Sequence, residues 1–232
     1  MYLLGKKIAF PDAEMADPDG ILAIGGDLSP ERLLLAYRSG IFPWFSEGEP
    51  IVWYSPEKRM VLLPGQLKVS DSMQQLIRKN IYRITWNENF EEVIRACQSS
   101  PRKDQDGTWI TNEMLEAYVR LHELGHAKSI EVWRKDQHKD QRKGQREDQR
   151  DDQLVGGLYG IDLGHVFCGE SMFSKESNTS KLAFIHLAQK LEKEKYRMID
   201  CQVYTSHLAS LGAREIPRRR FLEMLGPKKR EL

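Results

Sequence analysis

Residues 154–181 read LVGGLYGIDLGHVFCGESMFSKESNTSK. The run from Leu154 to Ile161 is apolar and studded with glycine. Asp162-Leu163-Gly164 has turn chemistry and separates it from a second apolar run, His165 to Phe173. Two such runs about a short turn predict a β-hairpin. The second run carries one carboxylate, Glu170, which is costly inside an apolar strand unless it is paired or lines a cavity. Gly156, Gly157, Gly160 and Gly169 suggest that something approaches the backbone closely here. A polar segment, Ser177 to Ser180, then leads into a long helix from Lys181 to about Tyr196. On its own the stretch is better explained by a half-buried sheet with one solvent-facing Glu.

Downstream, MIDCQVY at 198–204 predicts another strand. Period two puts Ile199, Cys201 and Val203 on one face and Asp200 with Gln202 on the other. Two polar groups so placed can touch: the carboxylate orients the amide, whose carbonyl oxygen is then presented to an amine. Two solvent-facing residues on an edge strand give the same pattern. A helix near His207 to Gly212 and a last one around Phe221 to Leu225 complete this end.

Upstream, the spacing of Phe90, Val93, Ile94 and Cys97 predicts an amphipathic helix. A second helix starts after Thr111, with Met114, Ala117, Leu121 and Leu124 as its core stripe and Gly125 as its stop. Short helices are predicted after Ser29 and over 70–79, and strands over 60–63, 82–86 and 129–134. Residues 1–57 read as a loop-rich, aromatic-rich annex, so the expected division is 1–57 and 58–232. Residues 136–153, DQHKDQRKGQREDQRDDQ, contain nothing apolar and repeat Asp-Gln four times. Such a tract cannot offset its chain entropy by burial. Lying between two strands, it reads as an inert, lengthened hairpin tip.

Of the 232 residues, 40% are hydrophobic, enough for one core plus a small annex. The net charge of +1, from 35 basic and 34 acidic residues, points to no polyanionic partner overall. Local clusters are needed for that: Arg78-Lys79 with Arg83, Arg218-Arg219-Arg220 and Lys228-Lys229-Arg230. Three scattered cysteines, no signal peptide and no run near the roughly 20 residues of a membrane span lead to an expected soluble, cytoplasmic protein. Neither a Walker loop nor a dinucleotide fingerprint is present, and no G-x-S-x-G marks a nucleophile. His122-Glu123-Leu124-Gly125-His126 matches the zinc-protease pattern, but the helix that must align both imidazoles is expected to stop at Gly125.

Several longer motifs fit one family. GGDLSPERLLLAYRSGIFPWF at 25–45, WYSP at 53–56, GTWIT at 107–111 and YVRLHELGHAKSIEVW at 118–133 are joined by LVGGLYG, FCGESMFS, IDCQV and LGAREIPRRRF. Together they resemble the leucyl/phenylalanyl-tRNA–protein transferase family over nearly the whole chain. The resemblance implies an α+β fold: a small N-terminal domain on a C-terminal acyl-CoA N-acetyltransferase-like domain with a mixed central sheet. It implies transfer of Leu, Phe or Met from aminoacyl-tRNA to the α-amine of an N-terminal Arg or Lys of a protein. That product is a bacterial N-end-rule degradation signal. A monomer acting without cofactor, metal or membrane is expected.

The resemblance also assigns residues. Asp200 and Gln202 match the proposed catalytic pair, in which Asp200 polarises Gln202. Glu170 matches a carboxylate for the acceptor's basic side chain. Tyr37, Trp44, Trp109 and Tyr118 match positions near the 3′-adenosine or aminoacyl group. Leu158 and Phe167 wall the apolar pocket; Arg78, Lys79, Arg83 and Arg218 are expected to meet tRNA phosphates. The segment SKESNTSK lacks the glycines with which acetyltransferases cradle a pyrophosphate, which weighs against a coenzyme A-dependent acyltransferase. The retained Asp200, Gln202 and Glu170 weigh against a non-catalytic tRNA-binding protein. The Asp-Gln tract departs from the family's short turn.

Overall fold

The hairpin forms as expected. In the computed structural model, which describes residues 1–100, 109–135 and 152–226, it is the centre of a seven-stranded sheet. Ahead of it come β1 (Tyr2–Leu4), β2 (Ile21–Gly25), α1 (Pro30–Arg38), β3 (Phe42–Pro43) and β4 (Val52–Tyr54). Then follow β5 (Lys58–Leu62), α2 (Asp71–Lys79), β6 (Tyr82–Trp86), α3 (Phe90–Ser99), α4 (Asn112–Glu123) and β7 (Ala127–Arg134). The hairpin is β8 (Gln153–Asp162) and β9 (Val166–Ser174). After it come α5 (Thr179–Lys193), β10 (Met198–Gln202), α6 (Ser206–Ser210), β11 (Arg214–Pro217) and α7 (Arg218–Leu225).

The large sheet has the order β11-β5-β10-β9-β8-β7-β6. Its one parallel pair is β9 with β10, joined by α5; every other neighbouring pair is antiparallel. The fold is therefore α+β with a mixed central sheet. Apolar α5, with Leu182, Phe184, Ile185 and Leu187 all buried, packs with Ile130, Val132, Leu158 and Ile199. A second cluster joins Val93 and Cys97 of α3, Met114 and Leu121 of α4, Tyr159 and Cys168 of the hairpin, and Leu22 and Trp53 of the first residues.

Several local expectations give way. Residues 1–57 hold a four-stranded sheet, order β1-β2-β4-β3, rather than mostly loop. Strands of two to five residues offer too few alternations to show a period. β11 was likewise unexpected: only one of its four residues, Ile216, is apolar, and it pairs at the sheet edge with β5. In α4 the buried stripe is Met114, Leu115, Tyr118 and Leu121. Leu124, expected inside, is exposed at the C-cap, one residue beyond the end of the helix. The 136–153 tract lies outside the described residues except at its end: Asp152 pairs with Arg83, and Gln153 opens β8 opposite Arg134. The loop at 101–108 and the basic cluster at 228–230 also lie outside them.

The hairpin glycines make room for the chain itself. A Cβ on Gly160 would stand 2.2 Å from the Cys168 carbonyl oxygen and 2.5 Å from the Phe167 ring. Gly160→Ala is therefore expected to destabilise the protein by about 3 kcal/mol through overpacking. Gly164→Ala, at the open turn with φ +79°, should cost only about 1 kcal/mol from its left-handed backbone. Thermal unfolding of the two variants side by side measures the difference.

Candidate active site

Strands β9 and β10 are in register from Val166–Met198 to Cys168–Asp200. Beyond that point β9 runs on to Ser174, whereas β10 stops at Gln202 and the chain leaves towards α6. A cavity of about 470 Å³ opens where the two part. Leu158, Met172, Phe184, Leu187 and Leu208 line it from the α5 side; Phe42, Pro43, Trp44 and Trp109 supply another wall. Glu170 is the single acidic residue on the lining among the described residues, and Gln202 stands beside it.

The polar groups form one connected system. Gln202 Nε2 donates to Glu170 Oε1 at 2.7 Å, and the Tyr118 hydroxyl donates to Glu170 Oε2 at 3.0 Å. The Tyr118 and Tyr37 hydroxyls hydrogen-bond each other in turn. Burial pushes the Glu170 carboxyl up to about 7, against the Tyr37 and Tyr118 hydroxyls, which favour its anion. Burial also raises both tyrosines well above their ordinary range, so they act as donors. On the same lining, burial pushes the Cys201 thiol up, away from a nucleophilic thiolate. Burial and then Lys181 hold His207 towards its neutral form.

Asp200 is where the expected geometry fails. It is fully buried and does not line the cavity. Its carboxylate takes Nε and Nη2 of Arg59 at 2.8 and 2.7 Å, and its Oδ1 accepts the backbone N–H of Gln202 at 2.9 Å. A side chain bonded to the amide two residues on makes an Asx-type turn. The turn carries Gln202 into left-handed backbone, φ +62°, and breaks the ladder with β5 between Asp200 and Gln202. Such a conformation costs a non-glycine residue about 1–2 kcal/mol. Period two therefore does not extend through Gln202, and the Gln202 amide meets Glu170 instead of Asp200.

A family model described as leucyl/phenylalanyl-tRNA protein transferase matches residues 61–226, and its N-terminal domain model matches 26–57. The chain belongs to this family. A relative from Flavobacterium johnsoniae named leucyl/phenylalanyl-tRNA–protein transferase is 58% identical over 98% of this chain and all of its own. One of the same name from Syntrophus aciditrophicus is 54% identical over 96% of this chain and 86% of its own. The crystal structure of FemX aligns over 81% of this chain and 66% of that chain, at 11% identity and a TM-score of 0.48, a likeness too distant to carry an argument.

Of the residues to which the family resemblance pointed, Trp44, Trp109, Leu158, Glu170 and Gln202 line the cavity, and Tyr37 and Tyr118 stand behind Glu170. Phe167 does not line it: the ring packs in the core against Gly160. Arg78 and Lys79 are exposed at the end of α2. Arg83 is engaged instead by Glu88 and Asp152, and Arg218 by the carbonyls of Ser55 and Ala16. His122 of the zinc-like pattern stacks on Phe90 at 4.3 Å, with Nδ1 against the Ala127 carbonyl, beyond the φ +84° turn at Gly125. No candidate metal cluster occurs among the described residues. Sequence inspection missed Phe184 and Leu187, although a helix as apolar as α5 signals burial on several sides. It also missed Arg59, the last of three consecutive charges, Glu57-Lys58-Arg59, directly ahead of the apolar run Met60 to Leu63.

Tyr118→Phe removes a donor that stabilises the Glu170 anion, so the carboxyl should titrate above about 7 in the variant. Carbon NMR of labelled glutamate measures it; an unmoved or lowered midpoint would contradict the hydrogen-bonded arrangement.

Proposed function

We propose that this chain transfers Leu, Phe or Met from aminoacyl-tRNA to the α-amine of proteins that begin with Arg or Lys, and so creates a degradation signal. One observation carries the reading: a largely apolar cavity bears one carboxylate, hydrogen-bonded to a neighbouring amide. An apolar aminoacyl side chain gains about 1.5–3 kcal/mol by leaving water for such walls. A cationic N-terminal residue finds its counter-charge in Glu170. The two substrates thus meet in one cavity, which answers the entropic cost of bringing them together.

The bonds balance simply. The amine nitrogen bonds to the aminoacyl carbonyl carbon, the ester bond to the ribose breaks, and one proton moves from the amine to the departing ribose oxygen. The ester is already activated, so the balance needs no ATP. With Nε2 held by Glu170, the Gln202 carbonyl oxygen is the group suited to orient the amine. Glu170 thereby takes the polarising place first given to Asp200. Trp44 and Trp109 suit the terminal adenosine, and the exposed Arg78 and Lys79 suit backbone phosphates. We place the domain boundary at 57/58, between strands of the two sheets, and take the working unit to be a cytoplasmic monomer. No helix among the described residues is long and apolar enough to cross a membrane.

Radiolabelled Phe-tRNA mixed with the chain and an Arg-initiated protein, with chelator and without ATP, should give label on Arg- or Lys-initiated acceptors alone. Transfer that disappears on chelation, or occurs only with an acyl-CoA donor, would sink the proposal. Below about 7 Glu170 is protonated and cannot pair with a cation, so kcat/KM for the acceptor should rise with pH through that value. Glu170→Gln should abolish this limb, leave the limb of the acceptor's own α-amine near 8, and raise the acceptor KM roughly ten- to a hundred-fold.

A further inference from the structure

Arg59 is almost wholly buried on β5. All three of its nitrogens are engaged: Nε and Nη2 by Asp200, and Nη1 by the Gly40 carbonyl at 3.3 Å. Two rings pack on the guanidinium, Phe42 at 4.6 Å and Phe221 at 4.5 Å. These partners come from distant parts of the chain. Gly40 lies in the turn after α1, and Phe42 in the strand that follows it forms the cavity wall with Pro43 and Trp44. Phe221 belongs to α7 and Asp200 to β10. Gly40, at φ +76°, permits the meeting: a Cβ there would stand 2.5 Å from Leu222 and 3.1 Å from Phe221.

Arg59 touches no cavity surface, yet it leads to the cavity in two steps. Its fork fixes the Asp200 carboxylate, whose Oδ1 holds the Gln202 N–H. That bond stabilises the left-handed turn which aims the Gln202 amide at Glu170. Building on the transfer activity proposed above, we infer that Arg59, through Asp200, is the positioning residue that sets where the Gln202 amide stands in the cavity. Asp200 acts on Gln202 through the backbone, and its negative charge answers Arg59 rather than the reacting amine. A bidentate planar fork suits this task; a lysine ammonium cannot make both carboxylate bonds and the carbonyl bond in one plane.

The test compares kcat and KM of the full chain for Arg59→Gln, Asp200→Asn and the double variant, with thermal unfolding to certify folding. Each single variant leaves a buried charge unpaired and should lower kcat by roughly a hundred-fold, with the aminoacyl-tRNA KM changed less than about threefold. In the double variant the two new amides pair and an oxygen still accepts the Gln202 N–H, so kcat should recover at least about tenfold. A double variant as slow as Asp200→Asn alone would show that the carboxylate charge is itself required and overturn the inference. Should Arg59→Gln fail to fold, Arg59→Lys carries the kinetic test: about tenfold lower kcat is expected, and wild-type kcat overturns it. A crystal structure of Arg59→Lys does not depend on any activity. Gln202 should leave its left-handed backbone and lose Glu170; an unchanged Gln202–Glu170 bond overturns the inference even if the wild-type chain transfers nothing.

Discussion

A carboxylate taken out of water costs several kcal/mol unless partners replace the solvent, and this protein meets that constraint in three ways. Asp200 is matched by a full cation, Arg59. Glu131, also fully buried, is matched by the hydroxyls of Thr85 and Ser129. Glu170 has two tyrosines at its back and an amide at its side, and keeps one flank open to the cavity. The first two are closed and tie elements together. The third is left short of compensation, and burial pushes its carboxyl up to about 7.

The same economy explains where the cavity lies. Parallel strands joined by a helix crossover need not stay paired along their whole length, and β9 and β10 separate after three register pairs. The Asx turn at Asp200 ends β10, and Gly169 to Met172 of the longer β9 border the cavity. Apolar α5 closes one side, and the aromatic residues of the first sheet close another. The two sheets meet at Arg59, which bonds to both the turn after α1 and the end of β10. The aromatic wall of the cavity and the placement of the Gln202–Glu170 pair thus share one mechanical joint.

Where the chain repeats a period long enough, the sequence was readable. The hairpin, α3 and the strands around Tyr82 and Ser129 appear as expected because each offers at least four residues of consistent pattern. The short strands of residues 1–57 and β11 were not readable, since pairing partners rather than local pattern make them strands. Glu170 and Gln202 stood out as polar groups in apolar surroundings. Phe167 misled because a core aromatic and a pocket aromatic look alike in one dimension. Arg83 and Arg218 misled because a basic residue carries no mark of the internal carboxylate or carbonyl that engages it.

By itself the sequence determined the longer helices and strands and, through the family resemblance, the mixed sheet, the family and several of the residues that gather at the cavity. These follow from periodicity, turn chemistry and long ordered motifs, all of which are local. Only the tertiary structure decided that Asp200 faces Arg59 instead of the cavity, that Gln202 turns away from its strand to meet Glu170, and that Phe184 and Leu187 reach the lining. Each of those outcomes depends on contacts across many residues of chain. A carboxylate chooses among partners by proximity and burial, and those quantities exist only once the layers have packed.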